Sequence, residues 1–220
     1  MSDPLPLVIA NHKANLTYSE FEIWVNKVGP VAKDFEGTVV VCPSSPFLAQ
    51  ALILTQAQSW NLKIGAQDIS RFDIGAYTGE VAASQLAGIC KYAIVGHSER
   101  RKNFNETDEI LDQKVQMAKK VNLTPIFCVQ DENTKIPEGI EVVAYEPVFS
   151  IGTGNPDTPQ NARAVSAKIQ EKGDYIILYG GSVKGDNVKN FVEKSVIDGV
   201  LIGSASLDPQ DFIEILQSIY

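Results

Sequence analysis

Short β-branched apolar runs alternate with longer stretches in which apolar residues recur every three or four positions, and this beat continues along the whole chain. Short apolar runs with punctuated ends read as buried strands, and the longer amphipathic stretches read as helices. The predicted strands are Leu5–Ala10, Thr38–Cys42, Leu62–Ala66, Tyr92–Val95, Thr124–Val129, Val142–Tyr145, Tyr175–Tyr179 and Val200–Ile202. The predicted helices are Ser19–Ala32, Phe47–Gln58, Val81–Leu86, Thr107–Lys120, Pro159–Glu171, Asp186–Lys194 and Pro209–Ile219. Thr158-Pro159 and Asp208-Pro209 each pair an N-cap residue with proline at the first helical position. Asn105 with Asp108, and Lys119 with Lys120, are read as the start and finish of the fourth long helix.

Strands alternating with helices imply β-α units and a parallel sheet. Eight such strands close most naturally into an α/β (β/α)8 barrel, here a single domain over residues 1–220. The rival is an open doubly wound sheet. It loses ground because no G-x-G-x-x-G turn follows the first strand and no G-x-x-x-x-G-K-[ST] occurs. A barrel gathers functional groups at the carboxyl ends of its strands. Asn11 and Lys13 follow strand one, His97 and Glu99 strand four, Glu146 strand six, Gly180-Gly181-Ser182 strand seven, and Gly203-Ser204 strand eight.

The 220 residues are 44% hydrophobic and 21% charged, which suits one substantial core. A formal net charge of -8, with no dense Lys/Arg run, argues against nucleic acid and anionic membranes as partners. A small anionic substrate stays admissible, since a local field can oppose the global sign. The first residues lack a basic head and long apolar region, and no eighteen-residue apolar run occurs, so the expectation is a soluble, cytoplasmic protein. Cys42, Cys90 and Cys128 are scattered and odd in number, which favours reduced structural thiols over disulfides or zinc ligation.

The candidate chemistry centres on AYEPVFSIGTG, Ala144 to Gly154. Glu146 stands at a strand end, where Pro147 stops the ladder, so its carboxylate is presented rather than lost in mid-sheet. Pro147 to Gly154 mixes apolar and aromatic residues with Gly152 and Gly154, the composition of a loop that closes over a ligand. Lys13 supplies a point positive charge for an oxyanion or phosphate. His97 lies beside a helical turn beginning at Ser98-Glu99, and Glu99 either pairs with Lys13 or caps that turn. The glycines after strands seven and eight, with Gly152, suggest a phosphate site built from backbone N–H groups. A carboxylate base, a histidine, a lysine and a phosphate around one small cavity imply proton abstraction beside a carbonyl, with the enediolate charge stabilised electrostatically.

These pieces resemble the triosephosphate isomerase family. The resemblance is carried by Asn11-His12-Lys13, GAYTGE from Gly75, VGHSERR from Val95, the AYEPVFSIGTG stretch, LYGGSV from Leu178, and Asp198-Gly199 through GSASL from Gly203. It implies that Glu146 is the base, His97 the electrophile that polarises the carbonyl, and Lys13 the cationic stabiliser. Asn11 would orient substrate, and the N–H groups of Gly152, Ser182, Gly203 and Ser204 would hold the phosphate. The implied reaction interconverts dihydroxyacetone phosphate and glyceraldehyde 3-phosphate, with no metal or organic cofactor. GAYTGE implies a homodimer in which Thr78 reaches the second subunit's site; a tetramer stays open.

Several positions depart from the family pattern. The segment between Cys128 and Glu146 is too short for a full helix, so the fifth helix is reduced to a turn, which should expose the outer side of strands five and six to an oligomer contact. Phe149 stands where tryptophan is usual, Ser204 replaces a second glycine, and His12 occupies a usually aromatic position with a structural role expected. A metal-dependent sugar-phosphate epimerase would need more ligands than His12 and His97 offer. The other alternative is a noncatalytic or moonlighting phosphate-binding barrel.

Overall fold

The structure, a computed structural model, describes residues 3–147, 157–192 and 196–219. Strands β1 (Leu7–Asn11), β2 (Thr38–Cys42), β3 (Leu62–Ala66), β4 (Tyr92–Val95), β5 (Thr124–Val129), β6 (Val142–Tyr145), β7 (Ile176–Tyr179) and β8 (Gly199–Ile202) pair in sequence order. β8 then pairs with β1, in the register Leu7 with Gly199 through Ala10 with Ile202, so the parallel sheet closes into a barrel.

Successive strand side chains point to opposite faces. Leu7, Ile9, Val40, Ile94, Ala144 and Leu178 therefore meet inside the barrel, while Val8, Val41, Val95, Val143 and Tyr179 face the surrounding helices. Continuing the same alternation past the strand ends turns Asn11, Glu146 and Gly180 inward at one mouth. The strand period thus delivers these three positions to a common place, whereas His97 is placed by the turn that opens the helix after β4.

The helices are α1 (Tyr18–Asp34), α2 (Leu48–Ala57), α3 (Ala83–Leu86), α4 (Ser98–Phe104), α5 (Asp108–Lys120), α6 (Pro159–Gln170), α7 (Val188–Phe191) and α8 (Pro209–Ser218). Thr158 and Asp208 cap α6 and α8 as read from sequence. Thr17 and Glu20 form a reciprocal capping box at the start of α1, a T-x-x-E signal that moves the observed start ahead of the predicted Ser19.

Other boundaries shift for local reasons. Pro6 has no N–H to give a ladder, so β1 begins at Leu7, whose N–H donates to the Asp198 carbonyl at 3.0 Å. Asn105 does not open the fourth long helix. It ends α4 in the left-handed region at φ 54°, a conformation asparagine tolerates, and Thr107 takes the N-cap position of α5 without a side-chain capping bond. The turn expected at Ser98-Glu99 is therefore a seven-residue helix. The helix expected over Asp186–Lys194 contracts to Val188–Phe191 among the described residues.

Between β5 and β6 no helix forms, as the shortness of that segment requires. The expected exposure of these strands is overturned, however: Val129 and Val143 are fully buried, and Phe127 and Tyr145 are nearly so. The connecting loop itself covers them, with Ile140 buried and Ile136 packed on the same cluster. Polar ties hold it across both neighbouring helices. Lys168 pairs with Glu132 at 2.8 Å, Lys172 donates to the Glu132 carbonyl, and Lys135 reaches Asp112 at 3.4 Å. The loop does the helix's covering work with two isoleucines.

Candidate active site

The carboxyl ends of the strands enclose a cavity of about 350 Å³, lined by Asn11, Lys13, His97, Glu146, Ser182, Lys184, Gly203 and Ser204 among others. Seven of the sequence-predicted site residues thus meet here. Gly152 and the rest of the expected lid after Pro147 lie outside the described residues.

Glu146 is 1% exposed and its N–H is tied to the Val129 carbonyl at 2.8 Å. Its Oε1 lies 3.0 Å from His97 Nε2, and its Oε2 accepts the Ser98 N–H at 2.8 Å. Space for this side chain depends on Gly180: a Cβ there would stand 3.0 Å from Glu146 Cγ and 3.1 Å from the Tyr145 carbonyl.

His97 precedes α4, and its Nδ1 accepts the Glu99 N–H at 3.2 Å. Nδ1 must then carry the lone pair, which places the ring proton on Nε2, aimed at Glu146 and the cavity. Around this turn, Arg101 donates to the Gly96 carbonyl at 2.9 Å and to the Cys128 carbonyl at 3.2 Å, joining the ends of β4 and β5. Arg100 and the buried Lys114 both bridge Asp68 and Glu106, at separations from 2.5 to 2.9 Å. This network fixes α4 against the segment after β3, and with it the direction of His97.

Lys13 pairs with Glu99, Nζ to Oε1, at 2.6 Å, so the supporting role for Glu99 is a pairing one. Its backbone is left-handed, at φ 51°, which costs a non-glycine residue free energy. The conformation is held from outside. Gln67 Nε2 donates to the carbonyls of Lys13 (2.8 Å) and Cys42 (2.9 Å), Ser44 donates to the Lys13 carbonyl (3.2 Å), and Lys13 N–H donates to Asn11 Oδ1 (3.1 Å). Gly203 lets the lysine stem pass: a Cβ there would lie 3.3 Å from Lys13 Cε.

Gln67 and Ser44 escaped the sequence reading, although each follows a strand end, the position that singled out the other site residues. Gln67→Ala is expected to lower kcat/KM about tenfold and stability by about 1–2 kcal/mol, because two carbonyls lose one donor and Lys13 is freed to relax. Steady-state kinetics and denaturant unfolding check this; Gln67→Glu, which cannot donate, should not rescue it. Beyond the undescribed stretch the chain is pinned at buried Asp157, whose N–H donates to Tyr179 Oη at 3.0 Å and whose Oδ2 accepts from Asn161 at 2.7 Å.

Ser204 opens a 3-10 turn through Ser206, so its own N–H has no acceptor within the turn. Ser182 shares this wall of the cavity. His12 is absent from the cavity, packed edge-on to Trp24 with ring centroids 4.5 Å apart. All three cysteines are free and buried.

Comparison with known proteins agrees with this geometry. The family model described as triosephosphate isomerase matches residues 6–219. The chain belongs to the triosephosphate isomerase family. It is 38% identical to the triosephosphate isomerase of Nitrosococcus oceani, over 97% of this chain and 98% of that protein. It is 39% identical to that of Alkalilimnicola ehrlichii, with the same coverage. The crystal structure of triosephosphate isomerase from Bartonella henselae superposes with a TM-score of 0.84 at 27% identity, covering 97% of this chain and 98% of that one. The activity of the chain is that of an isomerase.

Proposed function

We propose that the barrel interconverts dihydroxyacetone phosphate and D-glyceraldehyde 3-phosphate, with Glu146 as the base that carries a proton between two adjacent carbons. The observation that carries this reading is the contact of a buried carboxylate with a histidine N–H inside the same cavity as Lys13. As substrate enters, Glu146 gives up a hydrogen bond to His97 or Ser98 and takes the carbon-bound proton. His97 Nε2–H then donates to the carbonyl oxygen as charge develops there, and Lys13 stabilises the enediolate. Asn11 orients the substrate, and the N–H groups of Gly152, Ser182, Gly203 and Ser204 hold its phosphate. Glu146 then returns its proton to the former carbonyl carbon, and the hydroxyl proton of the neighbouring carbon passes to the former carbonyl oxygen, so that product and substrate hold the same atoms. Rapid turnover of glyceraldehyde 3-phosphate, with inorganic phosphate competing, is the expected result; a folded protein without turnover would favour the noncatalytic phosphate-binding barrel.

The working unit of this reading is a homodimer in the cytoplasm. A second cavity, of about 410 Å³, adjoins Lys13 and His97 on the side of Gln67 and Phe104. The 70–80 segment offers an apolar filling for it: Ile74 is 74% exposed, and Tyr77 stacks on Phe72 at 4.1 Å. Thr78 of a second copy would then steady Asn11 or Lys13. Sedimentation and turnover measured over a dilution series should fall together, and a fully active monomer would contradict the assignment. Buried free thiols accord with a reducing compartment. Among the described residues no helix is long and apolar enough to cross a membrane.

A further inference from the structure

The catalytic cavity carries two lysines on its wall, Lys13 and Lys184. They differ in how their charge is committed. Lys13 is neutralised at close range by Glu99, 2.6 Å away. Lys184 is exposed at the rim and takes part in no ion pair among the described residues. A neighbouring cavity of about 460 Å³ shares Lys184, Ser204 and Ala205 with the first, but its remaining wall carries Asp186, Asp211 and Glu214. The charge order across the mouth is therefore carboxylates, then Lys184, then the phosphate corner.

Lys184 is also held at its base. Its N–H donates to Asn187 Oδ1 at 2.8 Å, its carbonyl accepts from Val188 at 3.0 Å, and Asn187 Nδ2 reaches the Ser182 carbonyl at 3.4 Å. One asparagine thus fixes the lysine relative to the serine proposed to bind phosphate. A doubly charged substrate approaching a protein of net charge -8 meets unfavourable field at this acidic rim. An unpaired cation placed between the rim and the site reverses the local sign.

We infer that Lys184 is a positioning residue for the substrate phosphate: it attracts the phosphoryl group past the acidic rim and seats it against Ser182 and Ser204, without touching the reacting carbons. This rests on the isomerase reading above. It predicts that Lys184→Gln lowers kcat/KM for glyceraldehyde 3-phosphate about three- to tenfold at low salt, mostly through KM, and that Lys184→Glu lowers it further. The losses should shrink as ionic strength rises from about 0.01 to about 0.3 M, where screening shortens the reach of the charge. Inorganic phosphate should bind Lys184→Gln more weakly by a similar factor.

Unphosphorylated glyceraldehyde provides the arm that a merely structural role would not spare: its slow turnover should be the same in wild type and Lys184→Gln. Equal losses for both substrates, or unchanged kcat/KM at low salt, would overturn the assignment. Phosphate titration by calorimetry separates this inference from the reaction itself. Wild-type protein that binds phosphate but turns over no triose phosphate would strike the isomerase reading, whereas phosphate binding equal in wild type and Lys184→Gln would strike Lys184.

Discussion

Shortening Glu146 to aspartate is expected to cut kcat about a hundredfold and leave KM for triose phosphate within a few-fold. The substitution keeps the charge and the chemistry but withdraws the carboxylate by about 1.5 Å, one carbon–carbon bond. A displacement of that order is worth roughly 10²-fold when the reacting atoms must stand in near-attack contact. Glu146→Gln should lose more, about 10³-fold, because the amide cannot accept the proton. Neither change should unfold the protein, since Glu146 is placed by its backbone bond to Val129 and by β6, and Gln can still accept from Ser98. Single-turnover kinetics with thermal unfolding on the same samples decide the matter. Wild-type kcat in both variants would remove Glu146 from the role of base, and parallel loss of stability would make it a structural carboxylate.

The second large effect concerns acid stability and His12. This ring is 1% exposed, set between Phe21 and Trp24, and neither of its nitrogens has a hydrogen-bond partner among the described residues. The nearby Ser206 carbonyl is taken by the Trp24 indole N–H at 2.8 Å. Burial lowers the His12 pKa from 6.5 to about 4, against a weaker opposing pull from that carbonyl. In the unfolded chain the imidazole binds a proton as pH falls below about 6.5, whereas in the folded protein it stays neutral until about 4. The unfolded state therefore gains protons first, and stability falls through that window before levelling off below it. Between pH 7 and pH 4.5 the loss attributable to His12 is about 2 kcal/mol. His12→Phe should remove this component of the slope while filling the same aromatic niche. Urea unfolding at the two pH values, compared between wild type and variant, measures the difference without requiring equal stability at pH 7. An unchanged pH dependence would mean that His12 is charged, or partnered, in the folded state.

Most of the barrel is legible in the chain because its signals are local. Strands β2 to β6 begin and end where runs such as TVVVC and YAIV do, since a strand buried on both faces favours a near-continuous apolar run with punctuated ends. Thr158-Pro159 and Asp208-Pro209 announce helices through groups within a few residues of each other. Asn105 shows where such reasoning fails. Asparagine serves equally at an N-cap and in a left-handed C-cap, and only the presence of α4 before it selects the second. The β5–β6 loop fails in another way: sequence shows that a helix is missing, but not that Ile136 and Ile140 fold back to replace its apolar face.

The sequence by itself determined the β-α order, the strand-end location of Asn11, Lys13, His97 and Glu146, and the motifs that carry the family resemblance, because each is written in adjacent residues. Tertiary structure alone decided that Gln67 and Ser44 hold the left-handed backbone of Lys13, that Glu99 pairs with Lys13, and that His97 turns its Nε2 toward Glu146. It also decided that Lys184, in no ion pair among the described residues, stands between an acidic rim and the cavity that holds Glu146. These facts depend on distances between residues far apart in the chain, which barrel closure sets and no local pattern encodes.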